Sequence, residues 1–153
     1  MLKNLFNKEQ VKNEKGLSLI ELLAVIVILA IISAIAIPAI GNILDNSRYN
    51  AVKADGIHVL KAAKKYFIEE PTQTKVTVET LLDEKYLDSA GMIPVNEYSY
   101  VTKIDNQVKL KTGVFLYTHS YDKLLVFDDA TISDINNDQS KGSDNTAKRI
   151  PAK

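Results

Sequence analysis

The 153-residue chain has no cysteine, no tryptophan, only two histidines and no net charge, nineteen basic residues facing nineteen acidic ones. Each scarcity removes a class of function. Without cysteine there is no disulfide framework, no thiolate metal site and no lipid-bearing cysteine. A small secreted domain lacking disulfides has to find stability elsewhere, and burial supplied by assembly is one source. His58 and His119 stand without HxxE or HxxxH spacing, so neither forms a metal signature, and structural or surface roles are expected of both. Asp128, Asp129 and the polar run from Asp134 to Asp138 lack the alternating ligands and closing Glu of a calcium loop, and read as a solvated acidic stretch. No phosphate-binding glycine loop, GxSxG elbow or nucleophile with a base is present, so neither enzymatic activity nor a cofactor is expected.

What the chain does have is concentrated at its N-terminal end. From Leu22 to Leu44 there are 23 residues without a charge, mostly Ile, Leu, Ala and Val. As a helix they extend about 35 Å, against a bilayer hydrocarbon core of roughly 30 Å. Lys3, Lys8, Lys12 and Lys15 precede the run, with only Glu9 and Glu14 opposing them. That basic excess predicts a single-pass membrane protein with a cytoplasmic N-terminus and an extracellular C-terminal domain. Roughly 110 residues then remain for a small water-soluble domain. A plain signal anchor or a cleavable secretory signal would explain this much.

Glu21 is the residue those readings do not explain. A carboxylate at the head of an apolar helix costs about 2.5–3.5 kcal/mol if buried in lipid, less near the interface. It sits in Lys15-Gly16-Leu17-Ser18-Leu19-Ile20-Glu21, which runs directly into the apolar segment. This resembles the signal of type IV prepilins and pseudopilins: a short basic leader ending in Gly, one apolar residue, a small hydroxyl residue, two apolar residues and Glu. The resemblance covers about residues 12–44 and extends to the rest only in layout. It implies cleavage by a prepilin peptidase between Gly16 and Leu17 on the cytoplasmic side, and N-methylation of Leu17. Glu21 then becomes the fifth mature residue, and Pro38 falls where many pilins carry a helix-bending Pro. Two departures are plain. Leu17 replaces the more usual Phe or Met, and the C-terminal disulfide loop of many pilins cannot form here.

Physical reasoning gives Glu21 an assembly role: its carboxylate pairs with the freed Leu17 amine of a neighbouring subunit. In low dielectric such a pair is strong, desolvation offsets much of the gain, and its best-founded contribution is register. Ala24, Ala30, Ala34, Ala36 and Gly41 are small enough for close approach of helices. One rival lies inside the segment. Ala34-Ile35-Ala36 has the small-x-small form read by a conventional signal peptidase, which would release a secreted domain starting at Ile37.

Beyond Pro38, which removes a donor and bends a helix rather than ending it, the helical pattern resumes. Val52, Gly56, Val59, Leu60, Ala63 and Phe67 fall within an arc of about 100°, with Lys53, Lys61, Lys64 and Lys65 off it. Pro71 should stop the helix after Glu70. A second helix is expected over Val78 to Tyr86. Strands are expected over Tyr98–Ile104 and Gln107–Leu110 around an Asp105-Asn106 hairpin turn, then over Val114–Thr118 and Leu124–Phe127. The predicted fold is α+β: a long N-terminal helix, transmembrane in its first half and amphipathic in its second, packed on a small antiparallel sheet in pilin-like fashion. The domain plan is a leader over 1–16, a transmembrane and assembly helix over 17–44, a soluble domain over 45–135 and a disordered tail over 136–153.

The expected function is therefore a structural subunit of a type IV pilus-like filament at the cell surface. A type II secretion pseudopilin or a DNA-uptake competence pilin is the first alternative, and a monomeric anchored or secreted binding domain the second. The resemblance implies as partners further copies of the chain in a helical homopolymer, the prepilin peptidase, an assembly ATPase with its platform membrane protein, and lipid before assembly. DNA is a weaker partner. Lys61, Lys64 and Lys65 beside Tyr66 offer phosphates a contact without sequence readout, but removing the leader leaves fifteen basic and seventeen acidic residues, net −2.

Overall fold

A computed structural model describes residues 18–118 and 123–151. Gly16, Leu17 and His119 lie outside them. The elements run α1 (Leu19–Glu69), β1 (Lys75–Thr77), α2 (Val78–Asp83), β2 (Tyr100–Ile104), β3 (Gln107–Lys111), β4 (Phe115–Leu116), β5 (Leu124–Phe127), α3 (Ile132–Asn137) and β6 (Lys148–Ile150). The chain divides into two units, Met1–Pro38 and Ala39–Lys153, and α1 contributes to both, with Pro38 inside the helix. The result is the expected α+β arrangement of a long N-terminal helix and a small antiparallel sheet.

In the first unit, the described part of α1 is apolar on every side. In the second, α1 is two-faced, and the expected arc is its buried face: Val52, Gly56, Val59, Leu60, Ala63 and Phe67 all lie in the core, joined by Tyr49, Ala62 and Tyr66. Lys61, Lys64 and Lys65 are exposed. Full burial of side chains such as Leu60, Leu81, Leu110 and Phe127 contributes about 1.5–3 kcal/mol each. The helix closes where Pro71 requires it, the Glu70 N–H still reaching Tyr66 O at 2.8 Å.

The hairpin forms as its turn chemistry demands. β2 and β3 pair antiparallel from Tyr100↔Lys111 to Ile104↔Gln107. Asp105 and Asn106 take φ of 49° and 64°, the left-handed conformation that a two-residue primed turn needs. β1 adds on the other side of β2, also antiparallel. This three-residue strand is absent from the sequence-based expectation, which also carries α2 on to Tyr86. Instead α2, capped by Thr77, ends at Asp83, and Lys85 at φ 61° turns the chain so that the Leu87 N–H returns to Leu81 O at 2.9 Å.

The disordered tail expected from residue 136 is overturned. A second sheet, ordered β4-β5-β6, recruits the C-terminal segment through parallel pairing of Leu125 with Lys148 and Phe127 with Ile150. Ile135 and Ile150 are fully buried. The polar stretch between them is ordered by hydrogen bonds rather than by apolar contact. Tyr117 Oη donates to Gly142 O at 2.8 Å, and the Ser143 N–H donates to Asn46 Oδ1 at 3.0 Å. Composition alone misses this, because the anchoring groups sit on α1 and β4–β5, far away in sequence.

Gly142 shows how closely this segment lies on α1. A Cβ there would stand 2.3 Å from Asp45 O and 2.6 Å from Tyr49 Cβ, and backbone cannot yield as a flexible side chain does. Gly142→Ala should cost about 1–3 kcal/mol, read as a lowered Tm and as proteolytic cleavage near residue 142 under native conditions. An unchanged Tm would mean the segment is not seated on the helix. Gly91 has a different constraint: at φ +58° its added Cβ would meet the Asp55 carboxyl at 2.2 Å, the same carboxyl that accepts the Met92 N–H at 2.8 Å.

Candidate functional site

The site begins at the first turn of α1. Ser18 stands immediately before the helix with Glu21 three residues on, the S-x-x-E spacing of a capping box. Both halves of the box are made. The Ser18 N–H donates to Glu21 Oε2 at 2.8 Å, and the Glu21 N–H donates to Ser18 Oγ at 3.3 Å. Two backbone donors that a helix start leaves unpaired are thereby satisfied, and a carboxylate sits where the helix dipole favours negative charge. This corrects one step of the sequence argument, which gives Glu21 no use in a lone chain. The S-x-x-E spacing lies within the same seven residues as the processing signal. The same bond aims the carboxylate at the amide of Ser18, one residue from the position of the amine that cleavage after Gly16 would create.

From this cap onward the helix presents apolar side chains to its surroundings. The large aliphatic residues from Leu19 to Leu44 are 46% to 86% exposed. The small residues Ala24, Ala30, Ala34 and Gly41 are interspersed on the same surface. The helix is long and apolar enough to cross a membrane, and none of its most apolar window is buried among the described residues. That fits membrane anchoring, since such a surface cannot stand in water at this size.

Two hollows open among the described residues of the second unit. One of about 360 Å³ is lined by Lys64, Phe67, Lys103, Gln107 and Ile132 among others, the other of about 300 Å³ by His58, Lys61, Lys65, Tyr86 and Asp88 among others. The lysine patch is therefore divided, Lys64 in one hollow and Lys61 with Lys65 in the other. Tyr66 is not available for stacking on a base. It is buried, edge-on to both Phe67 and Tyr86 at centroid distances of 5.5 and 5.4 Å. Tyr86 Oη donates to Glu69 Oε2 at 2.6 Å, a bond that pushes the phenol up to about 12.

Asp128, Asp134 and Asp138 are each engaged by partners of their own. Asp128 faces Arg149 at 2.9 Å and Lys111 at 3.6 Å. Asp134 closes a capping box with Thr131 at the start of α3. Asp138 Oδ2 accepts from Tyr49 Oη at 2.8 Å and Lys53 Nζ at 3.1 Å, and Oδ1 accepts from Ser140 Oγ at 2.8 Å. Burial pushes the Asp138 carboxyl up, but these hydroxyl and ammonium partners outweigh it and hold the group below its ordinary value. Lys53, placed off the buried arc by periodicity, is thus drawn inward by a partner 85 residues away. No local sequence signal announces such a pair.

Residues 11–37 match the family model described as the prokaryotic N-terminal methylation motif. No curated protein and no solved structure matches the chain. The matched span takes in Gly16, Leu17, the Ser18–Glu21 cap and the apolar helix up to the residue before Pro38. The chain therefore carries, at its N-terminal end, a segment that matches the type IV prepilin-type signal.

Proposed function

We propose that this chain is the precursor of a structural subunit of a type IV pilus-like surface filament, cleaved by a prepilin peptidase and assembled through its N-terminal helix. One observation carries the reading. The methylation motif runs into a helix whose large aliphatic side chains from Leu19 to Leu44 stand exposed among the described residues, so lipid has to cover them before assembly and other subunits afterwards.

The resemblance to prepilin signals implies the sequence of events. Lys3, Lys8, Lys12 and Lys15 hold the leader in the cytoplasm, and the peptidase cuts between Gly16 and Leu17. The Leu17 amine, once methylated, stays cationic, and Glu21 of an adjoining subunit receives it. Pro38 supplies a bend, and an assembly ATPase with its membrane platform drives extraction from lipid. A pseudopilin or a competence pilin would share every one of these steps and differ only in the task of the polymer. The Ser18–Glu21 cap supports one further reading, a monomeric anchored domain, because it gives Glu21 a role that needs no neighbour.

Intact mass and N-terminal sequence of the protein from native membranes or a sheared surface fraction test the proposal. A chain beginning at Leu17, with the mass of one added methyl group, is the expected result. A chain beginning at Met1 or at Ile37 would overturn it.

A further inference from the structure

The β2–β3 hairpin of the second unit has a different surface feature at each end, and neither finds its complement among the described residues. At the turn end lies the larger hollow. Phe67, Val108 and Ile132, buried or half-buried, supply its apolar lining, and Lys64 and Lys103 supply its charge. No carboxylate is among its described lining residues, and neither lysine forms an ion pair with a described residue. Its volume of about 360 Å³ is more than twice the roughly 150 Å³ that takes up a benzene ring. An aromatic side chain therefore fits.

At the opposite end, just ahead of β2, the chain makes a tight turn from Asn96 to Ser99. The Ser99 N–H donates to Asn96 O at 3.1 Å. Asn96 Oδ1 accepts from the Tyr98 N–H at 3.0 Å and from Ser99 Oγ at 3.2 Å. Ser99 is buried, so the turn is held at its root, while Glu97 and Tyr98 between them project into solvent, Tyr98 being 62% exposed. A Cβ on Gly113 would stand 3.6 Å from Tyr98 Cβ, which brings the exposed Val114 close to the tyrosine. Glu97 forms no ion pair with a described residue.

We infer that Tyr98 and Glu97 of one subunit dock in the Lys64–Lys103 hollow of the next, the phenol ring against the apolar lining and the carboxylate against the lysines. This inference rests on the filament reading above and adds to it a contact between soluble units. Tyrosine is among the side chains that dominate an interface when seated in a pocket, and a preformed turn spends little entropy on docking. The two features do not meet within one chain, since most of β2, roughly 10 Å of strand from Tyr100 to Lys103, lies between them. Both halves of the match belong to every copy, so a second copy is the occupant. Because the halves differ, the contact is head-to-tail, which propagates as an open helix where its rotation does not close a ring. So small a contact is weak alone, but packing of the N-terminal helices holds the soluble units at high local concentration.

The chain has no cysteine, so introduced thiols report the contact without background. Val95→Cys, beside the turn, and Ser133→Cys, in the lining of the hollow, leave Tyr98, Glu97 and both lysines in place. Filaments of the full chain carrying both substitutions, treated with a short bismaleimide and then denatured, should give a ladder of covalent dimers, trimers and longer products. Either substitution alone should give monomer. Adding Lys64→Glu should cut the ladder about fivefold or more, and adding Glu97→Lys to that should restore most of it. Intact filaments that yield only monomer would overturn the contact and leave the filament reading standing. Dimers from Val95→Cys alone would mean that turn meets turn, and would overturn the head-to-tail match. A ladder unchanged by Lys64→Glu would overturn the charge pairing. Linkage of Ser133→Cys to a protein of another mass would overturn a second copy as the occupant. Absence of filaments from wild type would overturn the filament reading and the contact together.

Discussion

Glu21→Gln and Glu21→Ala should both abolish filaments while leaving membrane insertion and leader cleavage intact. The pair of substitutions separates the two roles open to this side chain. As a helix cap, Glu21 needs only an oxygen that accepts the Ser18 N–H, now at 2.8 Å. Gln supplies one, since the capping box accepts Glu or Gln at this position. Ala supplies none, yet losing a cap costs only about 1 kcal/mol, and lipid still enforces the helix beyond it. As the partner of a neighbour's amine, Glu21 needs its charge. Removing one member of a pair held in low dielectric costs about 3–5 kcal/mol, and every 1.4 kcal/mol is tenfold. Filament yield in the sheared fraction should therefore fall by about a hundredfold or more for both variants, with cleaved subunit accumulating in the membrane. Wild-type filament yield from Glu21→Gln would reduce Glu21 to a cap. It would move the weight to the monomeric anchored domain.

These residues also show where a sequence can be read and where it cannot. Local rules worked for most features whose partners are neighbours in the chain, the end of α2 being an exception. The buried face of α1 follows from periodicity, the hairpin from Asp105-Asn106, the helix end from Pro71, and the prepilin-type signal from a run of seven residues ending in Glu21. The rules failed where order comes from distant partners. β1 and β6 are each three residues long, too short for an alternating pattern to register. The stretch from Asn136 to Thr146 has the composition of a disordered tail, and it is fixed by Asn46, Tyr49, Lys53, Tyr117 and Lys123, none of them adjacent in sequence. Lys123 belongs to the same class, its Nζ donating to Ser143 O and Asn145 Oδ1 from about twenty residues away.

Asp138→Ala tests whether that distant anchoring carries much of the soluble unit's stability. Its carboxylate joins Tyr49 and Lys53 on α1 to the end of α3, with the Lys53 and Asp138 side chains only 15% and 6% exposed. Truncation would leave a phenol and a largely enclosed ammonium short of their acceptor. Lys53 would keep its bond to the Asp138 carbonyl, now 2.7 Å long, so the loss should fall below that of a fully stripped ion pair, at about 2–3 kcal/mol. For a domain of about a hundred residues that corresponds to a Tm lower by roughly 10–20 °C. The effect should also depend on pH, and its sign is fixed. The folded-state carboxyl is held below its ordinary value of 3.8, so its contribution is present above that pH and fades as acidity protonates the folded form. Asp138→Asn, which keeps an acceptor oxygen and loses the charge, should melt below wild type at neutral pH. The gap should close as the pH drops below about 4. Melts of the full chain in detergent across that range measure both. Were Asp138→Ala to melt with wild type at neutral pH, the Asp138 anchor would be dispensable, and the order of the C-terminal segment would rest on Ile135, Ile150 and the hydrogen bonds of Asn46, Tyr117 and Lys123.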